Sequence, residues 1–250
     1  MDPLPQLPNT QVALALDFDG VVCNSVIECL STSYSAFREF SEDAPVECPS
    51  HWTALFLERR GFVRPSGNYL LLWQWIAGSA DRSYDQVGFE RLAIGQQQRV
   101  AAFERRFHQI RDAAIAQSPE RFIAQNALFP GVTESWSAIR RFPLFIVSTK
   151  DEASIRLLLS ASRLAVDGVF GRGSGTKSAS LSEIASRCII PTRNVVFIDD
   201  NALHVADAEA AGITGVIANW GYGPRNPGAR YSLDSFAEIP AFMSRFLARR

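Results

Sequence analysis

Val12-Ala13-Leu14-Ala15-Leu16-Asp17-Phe18-Asp19-Gly20-Val21-Val22 sets two carboxylates, one residue apart, at the end of a short apolar run and directly before a glycine. An apolar run of this length beside turn residues reads as a buried strand of an α/β sheet. Ligands in such sheets bind outside the carboxyl ends of the strands, which is where Asp17 and Asp19 fall. Two residues apart on a strand, they share a face. Like charges packed there need a cation or a proton to relieve them. Alone, an Asp-x-Asp pair reads more readily as two solvated turn carboxylates, so the rest of the chain decides.

At 250 residues the chain suits one good-sized domain or a domain with a sizeable insertion. Its formal net charge of -1 offers no general attraction to nucleic acid or to an anionic membrane surface. The longest apolar stretch, residues 69–77, contains Gln74 and is too short to span a bilayer. Neither nucleic acid nor membrane is therefore expected as a partner. Cys23, Cys29, Cys48 and Cys188 form no Cys-x-x-Cys pair and are too sparse for a disulfide framework, which favours reduced thiols in a cytoplasmic protein. Residues 1–10 carry three prolines and no signal-peptide pattern, and read as a loose lead-in.

After Asp19 the pattern turns helical, with Val26, Leu30, Ser33, Phe37 and Phe40 on one face. Further helices are expected over 51–60, 69–77 and 99–117, the last from the stripe Val100, Phe103, Phe107, Ile110 and Ala114. Residues 24–127 thus read as all-helical. Beyond Phe129-Pro130-Gly131, short apolar runs alternate with helical patterns, the mark of βαβ units in a parallel sheet. Strands are expected over 144–147, 169–170, 195–198 and 215–218, and helices over 132–141, 152–162, 178–187, 202–211 and 235–249. The fold class is α/β: a Rossmann-like parallel sheet flanked by helices, from residues 1–23 and 128–250, with an all-helical unit over 24–127 inserted after the first strand.

Three further signals fall at strand ends. Phe145-Ile-Val-Ser148-Thr149-Lys150 brings a hydroxyl and fresh backbone N–H groups to the end of the second strand, where a phosphate could be held or the next helix capped. Gly171-Arg-Gly173-Ser-Gly175-Thr176-Lys177 is a flexible loop that delivers a lysine to a helix start. Against the Walker pattern, Gly171, Lys177 and Ser178 are in register, but Thr176 fills the slot of the second glycine, so this is no nucleotide-binding loop. Val195-Val-Phe-Ile198 runs into Asp199-Asp200-Asn201, a second acidic pair. Carboxylates converging at neighbouring strand tips suit a hard cation with oxygen ligands, Mg²⁺ above all.

Taken in order, these signals resemble the four motifs of the haloacid dehalogenase superfamily of phosphotransferases. Asp17-Phe18-Asp19-Gly20 matches its Asp-x-Asp-Gly, Ser148 its strand-ending hydroxyl, Lys177 its lysine and Asp199-Asp200 its acidic pair. Residues 208–212, 215–223 and 231–239 are similar to the end of phosphoglycolate-phosphatase-like members with a helical cap. There are departures: Ser178 stands where close relatives carry proline, and His204 where they often carry a further acid. The resemblance implies a Mg²⁺-dependent phosphatase of a small phosphorylated metabolite, of phosphoglycolate or sugar phosphate type. Asp17 would be the nucleophile and Asp19 the general acid and base. Ser148, Thr149 and Lys177 would hold the phosphoryl oxygens. Mg²⁺ would be held by Asp17, the backbone carbonyl of Asp19 and Asp200, with Asp199 standing in for the second metal-supporting carboxylate.

Asp19 also argues against the dehalogenase branch, which needs no acid for a halide leaving group. The insertion resembles the cap that closes over such sites. In it Arg59, Arg60 and Arg64 flank Gly61 in a break between helices, as a mobile cationic loop that contacts the substrate or as solvated charge; Trp73 and Trp75 read as core. A phosphomutase uses the same four motifs, and a silent binding protein could keep the fold. The expected assembly is a monomer or a homodimer.

Overall fold

The computed structural model describes residues 11–78, 82–226 and 228–249; the lead-in over 1–10 lies outside them. By backbone contacts the chain divides into two compact units, Met1–Asn24 with Ala127–Arg250, and Ser25–Asn126.

The first unit opens on β1 (Ala13–Leu16), whose four residues are all buried, followed after the acidic loop by the short β2 (Cys23–Asn24). The second unit is helical throughout: α1 (Val26–Phe40), α2 (Ser50–Arg59), α3 (Asn68–Gly78), α4 (Gln86–Arg91), α5 (Gln97–Gln117) and α6 (Pro119–Ala124). Its core is aromatic. Trp73 stacks on Phe56 and Phe37 and donates its indole N–H to Ser33 Oγ at 2.9 Å, so a large ring is buried without orphaning its donor. Glu28 and Arg111, both buried there, form a bidentate pair at 2.9 and 2.8 Å, with the Thr32 hydroxyl also donating to Glu28.

The chain re-enters the first unit at β3 (Ala127–Leu128), antiparallel to β2. It continues through α7 (Val132–Ile139), β4 (Leu144–Val147), α8 (Glu152–Ala161), β5 (Gly168–Phe170), α9 (Lys177–Cys188), β6 (Val195–Asp199), α10 (Ala202–Ala210), β7 (Thr214–Ala218), β8 (Ser232–Leu233) and α11 (Ile239–Leu247). Six strands form a parallel sheet in the order β5-β4-β1-β6-β7-β8. From β1 the chain builds outward through β4 and β5, then returns to the other side of β1 for β6, β7 and β8. The strand order reverses at β1, the point where α/β sheets leave a crevice for ligands.

The α/β reading therefore holds, and the predicted sheet strands and long helices fall within a few residues of the observed ones. The two-residue strands β2, β3 and β8 and the short helices α4 and α6 were not foreseen. The last helix begins at Ile239, after a 3-10 turn over Phe236–Glu238, rather than at 235. All four cysteines are free. Among the described residues, no helix is long and apolar enough to cross a membrane.

Candidate active site

Strand periodicity and register assemble the site. Ala13 and Ala15 of β1 and Val195 and Phe197 of β6 pack in one cluster with Leu181 and Ile184 of α9. Two residues further along the same faces stand Asp17 and Asp199. The parallel register pairs Leu16 with Ile198, so the next step sets Asp17 beside Asp199. Lys177 is the first residue of α9, which Thr176 caps by accepting the Ala179 N–H. A helix packed on that face thus brings its leading lysine to the two acids.

The Lys177 ammonium lies 3.1 Å from Asp17 Oδ2 and 2.7 Å from Asp199 Oδ2. Burial works against its charge, but the two carboxylates outweigh this and hold the lysine above its usual pKa. Asp17 is buried, its Oδ1 accepts the Phe18 N–H at 2.8 Å, and the Ser148 hydroxyl also bonds its carboxylate. Burial pushes Asp17 above the usual carboxylate range despite Lys177, with the Asp199 charge adding to the rise. Burial would raise Asp199 too, yet Lys177 and His204 hold it well below that range. His204, in the first turn of α10, places Nδ1 3.1 Å from Asp199 Oδ2. A carboxylate only accepts, so Nδ1 carries the hydrogen.

The second acid of each pair has its own setting. Asp19 is met by the buried Lys150, whose ammonium lies 3.3 Å from its Oδ1. Asp200 Oδ2 accepts the Tyr222 N–H at 2.6 Å and the Gly223 N–H at 3.2 Å. The Asp200 carboxylate lies against the backbone of Gly20, where a Cβ would come within 2.5 Å of Oδ2. Asp17, Asp19, Asp199 and Asp200 thus face two ammonium groups. Four carboxylates against two ammonium groups leave a formal charge of -2, which one divalent cation would neutralise. A hard cation with oxygen ligands fits this donor set.

No family model matches the chain, and no curated protein matches it in sequence. Solved structures do match in fold. One is a predicted phosphoglycolate phosphatase from Haemophilus somnus, 17% identical, with a TM-score of 0.64 over 94% of this chain and 99% of that one. A haloacid dehalogenase-like family hydrolase from Streptococcus pneumoniae is 17% identical, with a TM-score of 0.63 over 94% and 99% of the two chains. A HAD-superfamily hydrolase of subfamily IA from Geobacter sulfurreducens is 14% identical, with a TM-score of 0.58 over 94% and 97%. The fold is that of the haloacid dehalogenase-like hydrolases. Near-complete coverage of both chains extends this likeness to the inserted helical unit as well as the sheet.

Within this fold the expected residues meet unequally. Asp17, Asp19, Ser148, Lys177, Asp199 and Asp200 all gather at the carboxyl ends of β1, β4 and β6, while Thr149 is exposed beside them. Ser148 does not cap the following helix; Asp151 does, accepting the Ser154 N–H. Asp199, expected as the second metal-supporting carboxylate, accepts from Lys177 and His204. Arg59, Arg60 and Arg64, in the helical unit, each lie against a neighbour within it. Arg59 ends α2 and Gly61 lies in a 3-10 turn, Arg60–Phe62. The Arg59 guanidinium lies 4.2 Å over the Trp75 ring and that of Arg60 5.0 Å over Tyr69, while Arg64 faces Glu90 at 3.4 Å. The reason is local: α3 supplies aromatic faces to which planar guanidinium groups adhere.

The residue that sequence reasoning missed is Lys150. Its signal was present in the composition. Lys150 and Lys177 are the chain's two lysines, against 23 arginines. A chain that otherwise carries its positive charge on arginine keeps the compact ammonium at these two positions, and both bind site carboxylates.

Proposed function

We propose that this protein is a Mg²⁺-dependent phosphatase of a small phosphorylated metabolite, acting through an aspartyl phosphate on Asp17. The observation that carries the reading is Asp17 itself: a buried carboxylate at the end of the central strand, with a lysine ammonium at 3.1 Å and a serine hydroxyl bonded to it. Asp17 attacks phosphorus and displaces the alcohol, which leaves with a proton from Asp19. Asp19 then takes a proton from the water that hydrolyses the acyl phosphate. Lys177 and Ser148 hold phosphoryl oxygens and offset their charge. Mg²⁺ held by Asp17, the Asp19 carbonyl and Asp200 would supply further neutralisation of the phosphoryl group. Lys150 fixes the Asp19 side chain.

Phosphoglycolate and sugar phosphates are the first candidates, the former because the Haemophilus somnus neighbour is described as a predicted phosphoglycolate phosphatase. The test is phosphate release from a panel of phosphorylated metabolites and one aryl phosphate, with and without Mg²⁺, beside Asp17→Asn. Release that needs both Mg²⁺ and Asp17 is the expected result. Release that survives Asp17→Asn at the parent rate would rule the mechanism out, and product isomerised without free phosphate would make the protein a mutase.

A further inference from the structure

We infer that Asp199 is a positioning residue for Lys177 and not a metal ligand, and that His204 is the residue that orients Asp199 for this task. The carboxylate of Asp199 is fully buried and accepts from three donors. Oδ1 accepts the Asn201 N–H at 2.8 Å; Oδ2 accepts from Lys177 at 2.7 Å and from His204 Nδ1 at 3.1 Å. Oδ2, the oxygen that faces Asp17, already accepts two donors, so a cation shared with Asp17 would have to displace Lys177 or His204. The ammonium already stands where a cation would stand, between Asp199 Oδ2 and Asp17 Oδ2. The cluster Asp17, Asp199 and His204, whose ligand atoms lie within 4.8 Å of one another, has the look of a mixed metal set but is organised around Lys177.

Asp200 differs although it is the next residue. Successive residues at the end of β6 point to opposite sides. Asp199 therefore turns to α9, while Asp200 turns to the backbone of Gly20, the loop that carries Asp19. The two acids divide the work: Asp200 faces the proposed metal loop and Asp199 holds the lysine. Of the three ammonium hydrogens, Asp17 and Asp199 take two, which aims the third at an incoming oxygen. A lysine on a flexible stem costs rotamer freedom to hold in place, and two carboxylates with a third group behind one of them meet that need.

The inference takes from the phosphatase reading what Lys177 contacts, but not what holds it. Because the chain contains two lysines, full-length protein labelled with ζ-¹⁵N lysine should give two ammonium resonances, one of them lost in Lys177→Met. In Asp199→Asn the Lys177 resonance is expected to shift or to broaden by fast exchange, while that of Lys150 persists and reports that the unit is folded. His204→Gln should move the same resonance less. Mg²⁺ affinity, measured by calorimetry, should stay within about threefold of the parent in Asp199→Asn and fall by about tenfold or more in Asp200→Asn. Turnover of an aryl phosphate by Asp199→Asn should drop roughly 10- to 100-fold in kcat with little change in KM, the mark of a donor misplaced in the transition state. An unmoved Lys177 resonance, or Mg²⁺ affinity falling in Asp199→Asn as far as in Asp200→Asn, overturns the inference. A parent that binds no Mg²⁺ and releases no phosphate overturns the phosphatase reading instead, and the lysine resonance still decides what holds Lys177.

Discussion

Replacing Gly20 by alanine should damage the site without removing any charge from it. Gly20 has φ +91°, a conformation that costs an L-residue about 1–2 kcal/mol. The new methyl would also lie 2.5 Å from Asp200 Oδ2 and 2.6 Å from its Cγ. Asp200 has little room to retreat. Its Oδ2 is held by two backbone N–H groups, and on its other side Gly221 is so close that a Cβ there would come within 2.3 Å of the Asp200 Cβ. Overpacking of this kind costs a further 1–3 kcal/mol or so. The total, about 2–5 kcal/mol, corresponds to a fall in Tm of roughly 5–15 °C for a unit of this size. Gly173→Ala is the control: its φ is +97°, but a Cβ there meets nothing within 4 Å, so it bears the strain alone. Thermal unfolding of both variants by circular dichroism separates the two contributions, and Mg²⁺-dependent phosphate release shows what the displaced carboxylate did. If Gly20→Ala melts no lower than Gly173→Ala and turns over like the parent, Asp200 is not clamped against the acidic loop and the site geometry argued above is wrong.

In the helical unit, Arg111→Met strips the cation from Glu28, which is 1% exposed, and should destabilise by about 3–5 kcal/mol. The double variant Glu28→Gln/Arg111→Met should recover much of that loss in urea titrations, because the amide leaves no buried charge; a double variant as unstable as the single one would show that Glu28 never depended on its partner. Cys188 predicts an alkaline effect. Burial, aided by the Asp167 charge, pushes its thiol from 9.0 up to about 11. Below pH 9 the thiol is protonated in both states and contributes nothing to the pH dependence. Between pH 9 and 11 only the unfolded chain loses this proton, so stability falls as pH rises. The unscreened ceiling for such a shift is about 2.7 kcal/mol, which solvent around a half-buried thiol cuts to about 1 kcal/mol. Chemical denaturation at pH 8 and pH 11 should show this slope in the parent and not in Cys188→Ala, and equal slopes would refute the assignment.

What could be read from the sequence was what depends on neighbours along the chain. β1 declared itself because every residue from Ala13 to Leu16 is buried, so no alternation dilutes the apolar run. Gly20, the two acidic pairs and Lys177 sit at ends of elements, where local patterns change. The partners of Asp199 could not be read this way. They depend on the register of β1 against β6, strands about 180 residues apart, and on the helix that leads with Lys177 covering that face. A one-residue slip in that register would turn Asp199 away from Lys177, because side-chain direction has a period of two. The arginines of the helical unit show the same limit. Arg59 and Arg60 look like solvent-facing charge beside a glycine until α3 supplies Trp75 and Tyr69 as surfaces for them to lie on. Strands of two residues, such as β8, carry too few side chains to show any period at all.

Lysine usage is a different kind of signal, neither local nor dependent on the fold. The chain uses lysine only twice against 23 arginines, and both lysines fall in the site. At Lys177 the reason is visible: two carboxylate oxygens converge on one point at 2.7 and 3.1 Å, a geometry that suits a compact ammonium and not a planar fork. Lys150, buried against Asp19, obeys the same rule.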